Sequence, residues 1–340
     1  TRTCSGACSP TPARAADGSA MHVFVWLPLV IPAIAAVAAR PLAERLPPRT
    51  ATWLLAASAV ILAGASCGAL GLLALAAAMR IPFVATAAGM SIRAVNSSDP
   101  ASLPLGVLAA ALLAAATIAA VRAAWLRTAA LVMAHQQNRR LPSASRVTEA
   151  TEAVVVQDDG VDAYTVPGWP SRIVVTSGML AALTPAEREV LLAHEHAHAG
   201  SRHHLFAAVA RLAAAANPLL GPLATAIGYS VERWADERAA GAAGSRPLAA
   251  RTIAKAALAA AAAPAFRAQS AVLLAALPRP STAARPGPVP RRVAALLGPP
   301  PRLRLVPLVL TIALVAIAGL SALEAARDLH AMIELAQSAV

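Results

Sequence analysis

Residues 184–205 read TPAEREVLLAHEHAHAGSRHHL, and two patterns are superposed on them. The first is a helix signal. Thr184 suits an N-cap, Pro185 the first helical position, and Glu187, three residues after the cap, completes a capping box. Val190, Leu191 and Leu192 supply apolar contacts, and Gly200 supplies a stop. The second is a crowd of histidines: His194, His196, His198, His203 and His204. Only residues three or four apart share a helix face closely enough to grip one ion, and within the predicted helix His194 and His198 alone stand at i and i+4. Glu195 lies between them, giving His-Glu-x-x-His. In that arrangement two imidazoles hold one zinc ion, and the glutamate reaches a water that the metal acidifies. His196 projects from another face and is read as a bystander. Histidines on an amphipathic helix are more commonly satisfied surface or core groups. Here the capped helix follows a strand, and that context favours the metal.

A catalytic zinc ordinarily takes three protein ligands and keeps a position for water. Two candidates for the third remain open from spacing alone. His204 follows His198 by six residues, as in an elongated zinc motif, but that motif wants glycine where Ser201 stands. Glu232, in SVERWADERAAG, lies on a second predicted helix with Asp236 one turn later. That aspartate could hydrogen-bond a ligand imidazole. The plainer reading of Glu232 and Asp236 is a solvated face paired with Arg233 or Arg238.

Upstream, RIVVTS (172–177) is rich in β-branched residues and reads as a strand, with a turn at Gly178. Downstream, 205–229 is apolar enough to tempt a membrane span, though Arg211, Asn217, Pro218 and Pro222 interrupt it. A crossing there would part His198 from Glu232 by a bilayer. The stretch is therefore read as helices inside a domain or lying against the membrane.

The rest of the chain is a membrane protein. Of its 340 residues 58% are hydrophobic and 14% charged, and its mean hydropathy is +0.61. Four stretches, about 22–39, 52–78, 103–121 and 304–323, are long and apolar enough to span the hydrocarbon core. The net charge of +12 accompanies only 3% aromatic residues and no basic stripe interleaved with stacking rings, so nucleic acid is not an expected partner. The arginines sit beside the spans instead: Arg40, Arg45 and Arg49; Arg122, Arg127, Arg139, Arg140 and Arg146; Arg302 and Arg304. By the positive-inside bias these regions are cytoplasmic and both termini face outward. Gly64 and Gly68 form a small-residue pair where another helix could approach. Cys4, Cys8 and Cys67 make no zinc or disulfide framework.

The expected fold class is mainly α, a multi-pass membrane protein with about four transmembrane helices and a cytoplasmic α+β zincin-like domain holding a small sheet. The expected divisions are a disordered extension over 1–20, since Met21 immediately precedes the first apolar stretch; three spans within 21–126; a metallopeptidase domain over 127–277; a proline- and arginine-rich linker over 278–303; a fourth span over 304–323; and a short extracytoplasmic tail over 324–340.

The run DAYTVPGWPSRIVVTSGMLAALTPAEREVLLAHEHAHAGSRHHL, followed by ERWAD, resembles the bacterial membrane-embedded zinc metallopeptidases related to the β-lactam-sensing signal transducers. The wider group includes the heat-shock membrane protease and the CAAX prenyl endopeptidases. The resemblance extends over roughly 22–323 and is most specific from Ala163 to Asp236. It implies a gluzincin fold, one zinc ion held by His194, His198 and Glu232, Glu195 as general base and acid, and Asp236 matching the aspartate of the group's Glu-x-x-Ala-Asp segment. Two departures stand out. Signal-transducer relatives often carry aspartate where this chain has His203, and the short stretch after the fourth span makes an extracellular sensor domain, and with it a direct β-lactam receptor role, unexpected. The expected function is zinc-dependent endopeptidase activity on protein substrates at the cytoplasmic side of the cell membrane, in regulatory cleavage of a repressor or in membrane-protein quality control, with an extended substrate added along RIVVTS. His135, Tyr164 and Asn217 are candidate oxyanion stabilisers. The alternative is a non-catalytic zinc-binding scaffold or sensor, which would have no need of Glu195. Transport is disfavoured because the spans carry no buried acidic residues.

Overall fold

The computed structural model describes residues 18–87, 103–148, 152–168, 170–262 and 288–338. Most of the expected N-terminal extension, and the chain from 263 to 287, lie outside the described residues. Among the described residues, four helices are long and apolar enough to cross a membrane: α1 (Gly18–Arg45), α2 (Pro48–Ala78), α4 (Leu103–Arg140) and α11 (Leu305–Ser338), with a short α3 (Pro82–Ala87) after α2. They overlap the four expected spans. The stretch 205–229 is not a span: it is broken at Asn217, which caps a 3-10 turn over Pro218–Leu220.

The chain divides into two compact units. One comprises Thr1–Val30, Ala65–Leu113 and Ala316–Val340. Its cores are apolar contacts between helices, such as Val25, Leu73, Ala109 and Ala325. A polar contact within it has a local cause. Pro32 has no N–H, so the Pro28 carbonyl four residues earlier loses its helical partner. Ser66 Oγ of α2 donates to that carbonyl at 2.9 Å. The small-residue contact falls elsewhere than expected. A Cβ added at Gly64 or Gly68 meets nothing within 4 Å, whereas one at Gly106 would stand 1.9 Å from Ala77 Cβ. Here α4 crosses α2 closely enough to require glycine.

The second unit, Ile31–Gly64 with Ala114–Val315, holds the histidines. It contains a sheet of β1 (Ser145–Arg146), β2 (Glu152–Val156), β3 (Ala163–Val166) and β4 (Arg172–Thr176) in the order β1-β2-β4-β3. β2 runs parallel to β4, and β3 antiparallel to it. RIVVTS therefore supplies an interior strand, not the edge: β4 pairs on both sides, and β3 is the outer strand. Strand alternation explains its two-sided burial. Ile173 and Val175 pack with Met179, Leu183 and Leu192, while Val174 faces Ala134 of α4. The expected turn at Gly178 is instead the start of α5 (Ser177–Ala182), capped by Thr176, and a Cβ at Gly178 would lie 2.5 Å from the Asp159 carbonyl.

Helices α6 (Pro185–Gly200), α7 (His203–Ala216), α8 (Gly221–Ala242), α9 (Arg246–Ala262) and α10 (Pro288–Leu297) complete the unit. Val190, Ala239, Ala240, Ala249, Ala250 and Leu296 join α6, α8, α9 and α10 in one apolar cluster. The second half of the expected linker is thus a packed helix. Its proline content misled because Pro288 and Pro290 sit in the first turn, where no helical N–H is needed, and Gly298 with Pro299–Pro301 follows its end. Arg246 donates to the carbonyls of Ala295 and Leu296 and so caps its C-terminus.

Candidate metal centre

Helix α6 begins as its sequence dictates. The Thr184 side chain accepts from Glu187 N, and the Glu187 carboxylate accepts from Thr184 N at 2.9 Å. Glu187 is buried, and the ammonium of Lys255 from α9 lies 2.7 Å from it. Lys255, with the Thr184 amide, holds the Glu187 carboxyl down at about 2. The helix ends at Gly200, and the chain turns through Arg202, whose φ of 51° is left-handed, before α7 starts.

Three turns along α6, His194 and His198 face α8. Their Nε2 atoms are 3.1 Å apart; Glu232 Oε2 lies 3.7 Å from His194 Nε2, and Glu232 Oε1 lies 3.6 Å from His198 Nε2. Ligand atoms of the three side chains all fall within 4.8 Å of one another. A tetrahedral zinc with bonds of about 2.0–2.2 Å sets its ligand atoms about 3.3–3.6 Å apart, so the donor set fits one ion. Among the described residues this is the sole group of that kind. His204 is not in it, and His196 is exposed.

The other ring nitrogens point to supports. His194 Nδ1 stands 3.0 Å from Asp236 Oδ1, one turn beyond Glu232 on α8. His198 Nδ1 stands 3.0 Å from His203 Nδ1. A single proton lies between these two nitrogens. If His198 Nε2 is to keep a lone pair for a metal, the proton belongs to His198 Nδ1 and His203 accepts it. His203 is then protonated at Nε2, which is buried without a hydrogen-bond partner. The residue is 3% exposed, and its ring lies 4.8 Å from the Trp234 ring, centroid to centroid. Burial drives His198 down to about 4 and His203 to about 3, so both are neutral at pH 7. At His194 burial also opposes protonation, but Asp236 outweighs it and the net shift is upward.

Glu195 is buried beside this cluster, and burial lifts its carboxyl to about 7. Thr165, on the outer strand β3, approaches it: the hydroxyl is 2.9 Å from the Glu195 carbonyl and 3.1 Å from Oε2. The partner of the α8 carboxylates is neither Arg233 nor Arg238 but Arg292 of α10. Its Nε and Nη2 donate to Asp236 at 2.7 and 2.6 Å, and Nη1 lies 2.8 Å from Glu232 Oε2. Burial alone would raise both carboxyls; Arg292 prevails, leaving Glu232 below its ordinary value and Asp236 at about 2. Arg292 was hidden in a segment read as linker. The signal that could have found it was helical: prolines confined to a first turn, apolar Val293 and Leu296, then Gly-Pro. Of the candidate oxyanion groups, Tyr164 lies on β3 beside Thr165, Asn217 is occupied as a cap at 3.1 Å from Leu219 N, and His135 is exposed on α4.

A donor set of two imidazoles and a carboxylate, next to a buried glutamate, is hydrolytic metal chemistry in form, and comparison with known families agrees. Residues 120–230 match the model of peptidase family M48. No curated protein and no solved structure matches the chain. The M48 match runs from α4 through the sheet and the His-Glu-x-x-His helix and ends just short of Glu232. With four apolar helices on the same chain, it supports a membrane-located metallopeptidase acting on a protein substrate.

Proposed function

We propose that this chain is a membrane-bound zinc endopeptidase that hydrolyses peptide bonds of protein substrates on the cytoplasmic side, with His194, His198 and Glu232 as ligands of one zinc ion. The convergence of those three side chains beside the buried Glu195 carries the reading. Zinc bound there supplies Lewis-acid polarisation of the scissile carbonyl and acidifies a water. Glu195 takes the proton of the attacking water and later delivers it to the leaving amine nitrogen. Thr165 engages Oε2, which leaves Oε1 for that proton. Asp236 and His203 orient the two ligand rings, and Arg292 holds Glu232 and Asp236 in place. Substrate adds as an extended strand along β3, the outer strand of the sheet beside Glu195.

The cytoplasmic assignment is supported by the company the site keeps. Arg40, Arg45 and Arg49, which mark an inner face by the positive-inside bias, belong to the same compact unit as the histidines. A site on that face reaches both soluble regulators and the inner loops of membrane proteins. Cleavage of a repressor and turnover of membrane proteins are the two roles this implies.

The test is Glu195→Gln in purified full-length protein. Zinc content should stay at one per chain while cleavage of an unstructured protein falls by about a hundredfold to ten-thousandfold. Equal cleavage by wild type and variant excludes the mechanism. A wild type that holds zinc and cleaves nothing favours a non-catalytic zinc protein.

A further inference from the structure

Glu232 and Arg292 each have a chain neighbour that turns away from the site, and both neighbours grip the same short stretch, the end of α1. Arg233, which is 5% exposed, donates from Nη1 to the carbonyls of Ala43 at 2.6 Å, Glu44 at 3.2 Å and Leu46 at 3.5 Å. Arg291 Nη1 donates to Glu44 Oε1 at 2.9 Å, and its guanidinium lies 4.6 Å from the Tyr229 ring centroid. The last carbonyls of a helix have no partner within it and carry its negative partial charge, so a guanidinium fork is a fitting cap. The start of α2 adds two contacts. Arg49 lies 5.8 Å from the centroid of Trp234, the ring packed on His203, and Trp53 meets Phe206 edge-on at 4.9 Å.

Adjacent residues of a helix project about 100° apart. A helix whose Arg233 is fastened to α1 can therefore present Glu232 in one direction only, and the same holds for Arg291 and Arg292 on α10. We infer that Arg233 and Arg291 are positioning residues: by fastening α8 and α10 to the carbonyl end of the first apolar helix, they set the direction of Glu232 and Arg292. The geometry of the metal centre then depends on where that helix ends, and a displacement of the helix is felt at a zinc ligand. This rests on the zinc site proposed above.

The experiment uses full-length protein in detergent or lipid nanodiscs, with Arg233→Met, Arg233→Lys and Arg291→Gln. Folding is followed by thermal melting, the metal site by the visible spectrum of the cobalt-substituted protein and by zinc competition with a chromophoric chelator, and catalysis by kcat and KM on one peptide. Arg233→Met should weaken zinc by about tenfold or more and alter the cobalt spectrum. Its kcat should fall by about tenfold to a hundredfold with KM little changed, since a small misplacement is felt mainly in the transition state. Arg233→Lys, which keeps a cationic donor, should recover part of each. Arg291→Gln should lower kcat and change the cobalt spectrum less than Arg233→Met does, because it reaches Glu232 and Asp236 only through Arg292. Folded variants with the wild-type spectrum, zinc affinity and kcat per zinc-loaded molecule overturn the inference; the arginines are then anchors only. If Arg233→Met does not fold, Arg233→Lys and Arg291→Gln decide by the same readouts. A wild type that binds zinc without peptidase activity refutes the proposed function, while the cobalt and affinity comparisons still decide the positioning role.

Discussion

His194 rests on a carboxylate and His198 on another imidazole, and the two supports belong to different chemistries. Behind His194, Asp236 is tied by two hydrogen bonds to Arg292, so the support is a buried ion pair. Behind His198, His203 is neutral and sits on Trp234, which meets Phe206, which in turn meets Trp53. One side holds by charge and is costly to break; the other holds by packing and gives way gradually. The contrast teaches that an imidazole can be held in place either by a neutralised carboxylate or by a packed ring, while the cost of losing that group depends on what else it neutralises.

Asp236→Ala should show the larger effect. It strips His194 of the carboxylate beside its Nδ1 and leaves Arg292 with Glu232 alone, so zinc affinity should fall by about a hundredfold. The half-broken buried pair should lower unfolding free energy by about 3–5 kcal/mol, read by denaturant titration of the metal-free protein. A loss no greater than that of His203→Ala would erase the contrast. For His203→Ala the expected fall in zinc affinity is about tenfold. Its stability cost should be about 1–3 kcal/mol, a cavity effect with no stranded charge.

The two ends of α6 extend the comparison. Its start is held by Glu187, whose carboxyl is depressed to about 2 against about 4.3 in the unfolded chain. A depressed carboxyl stabilises the fold above its unfolded value, and that stability is lost as the pH falls toward its folded value. Glu187→Gln should therefore cost about 2–3 kcal/mol at pH 7, and the gap to wild type should narrow below about pH 4. A gap independent of pH would mean that shape, not charge, holds this end. The smallest effect belongs to the first unit. Ser66→Ala leaves the Pro28 carbonyl unpaired again and should cost about 1 kcal/mol in a detergent melt, as interhelical hydrogen bonds in membranes do.

What could be read in advance was what depends on near neighbours in the chain. The capping box, the i and i+4 histidines, the stop at Gly200 and the four apolar helices all follow from spacing and hydropathy, because a helix converts sequence separation directly into a shared face. β4 was legible as a strand but not as an interior one, since a run of β-branched residues states that both faces are covered and says nothing about how many edges are paired. Proline count outweighed periodicity over 278–303, and α10 was lost with it. The role of His203 was out of reach for the same kind of reason: it lies across the turn at Arg202, and only the direction of α7 decides whether its ring meets His198.

By itself the sequence determined a membrane chain with a capped helix carrying His194, Glu195 and His198 on a period of 3.6, because those properties are local. Only the tertiary structure decided that Glu232 closes on those imidazoles, that Arg292 holds two carboxylates, and that Arg233 and Arg291 fasten both helices to the end of α1. Each of these joins residues tens to hundreds of positions apart, and such contacts are set by how apolar faces stack and which buried charges must be neutralised, neither of which spacing along a chain encodes.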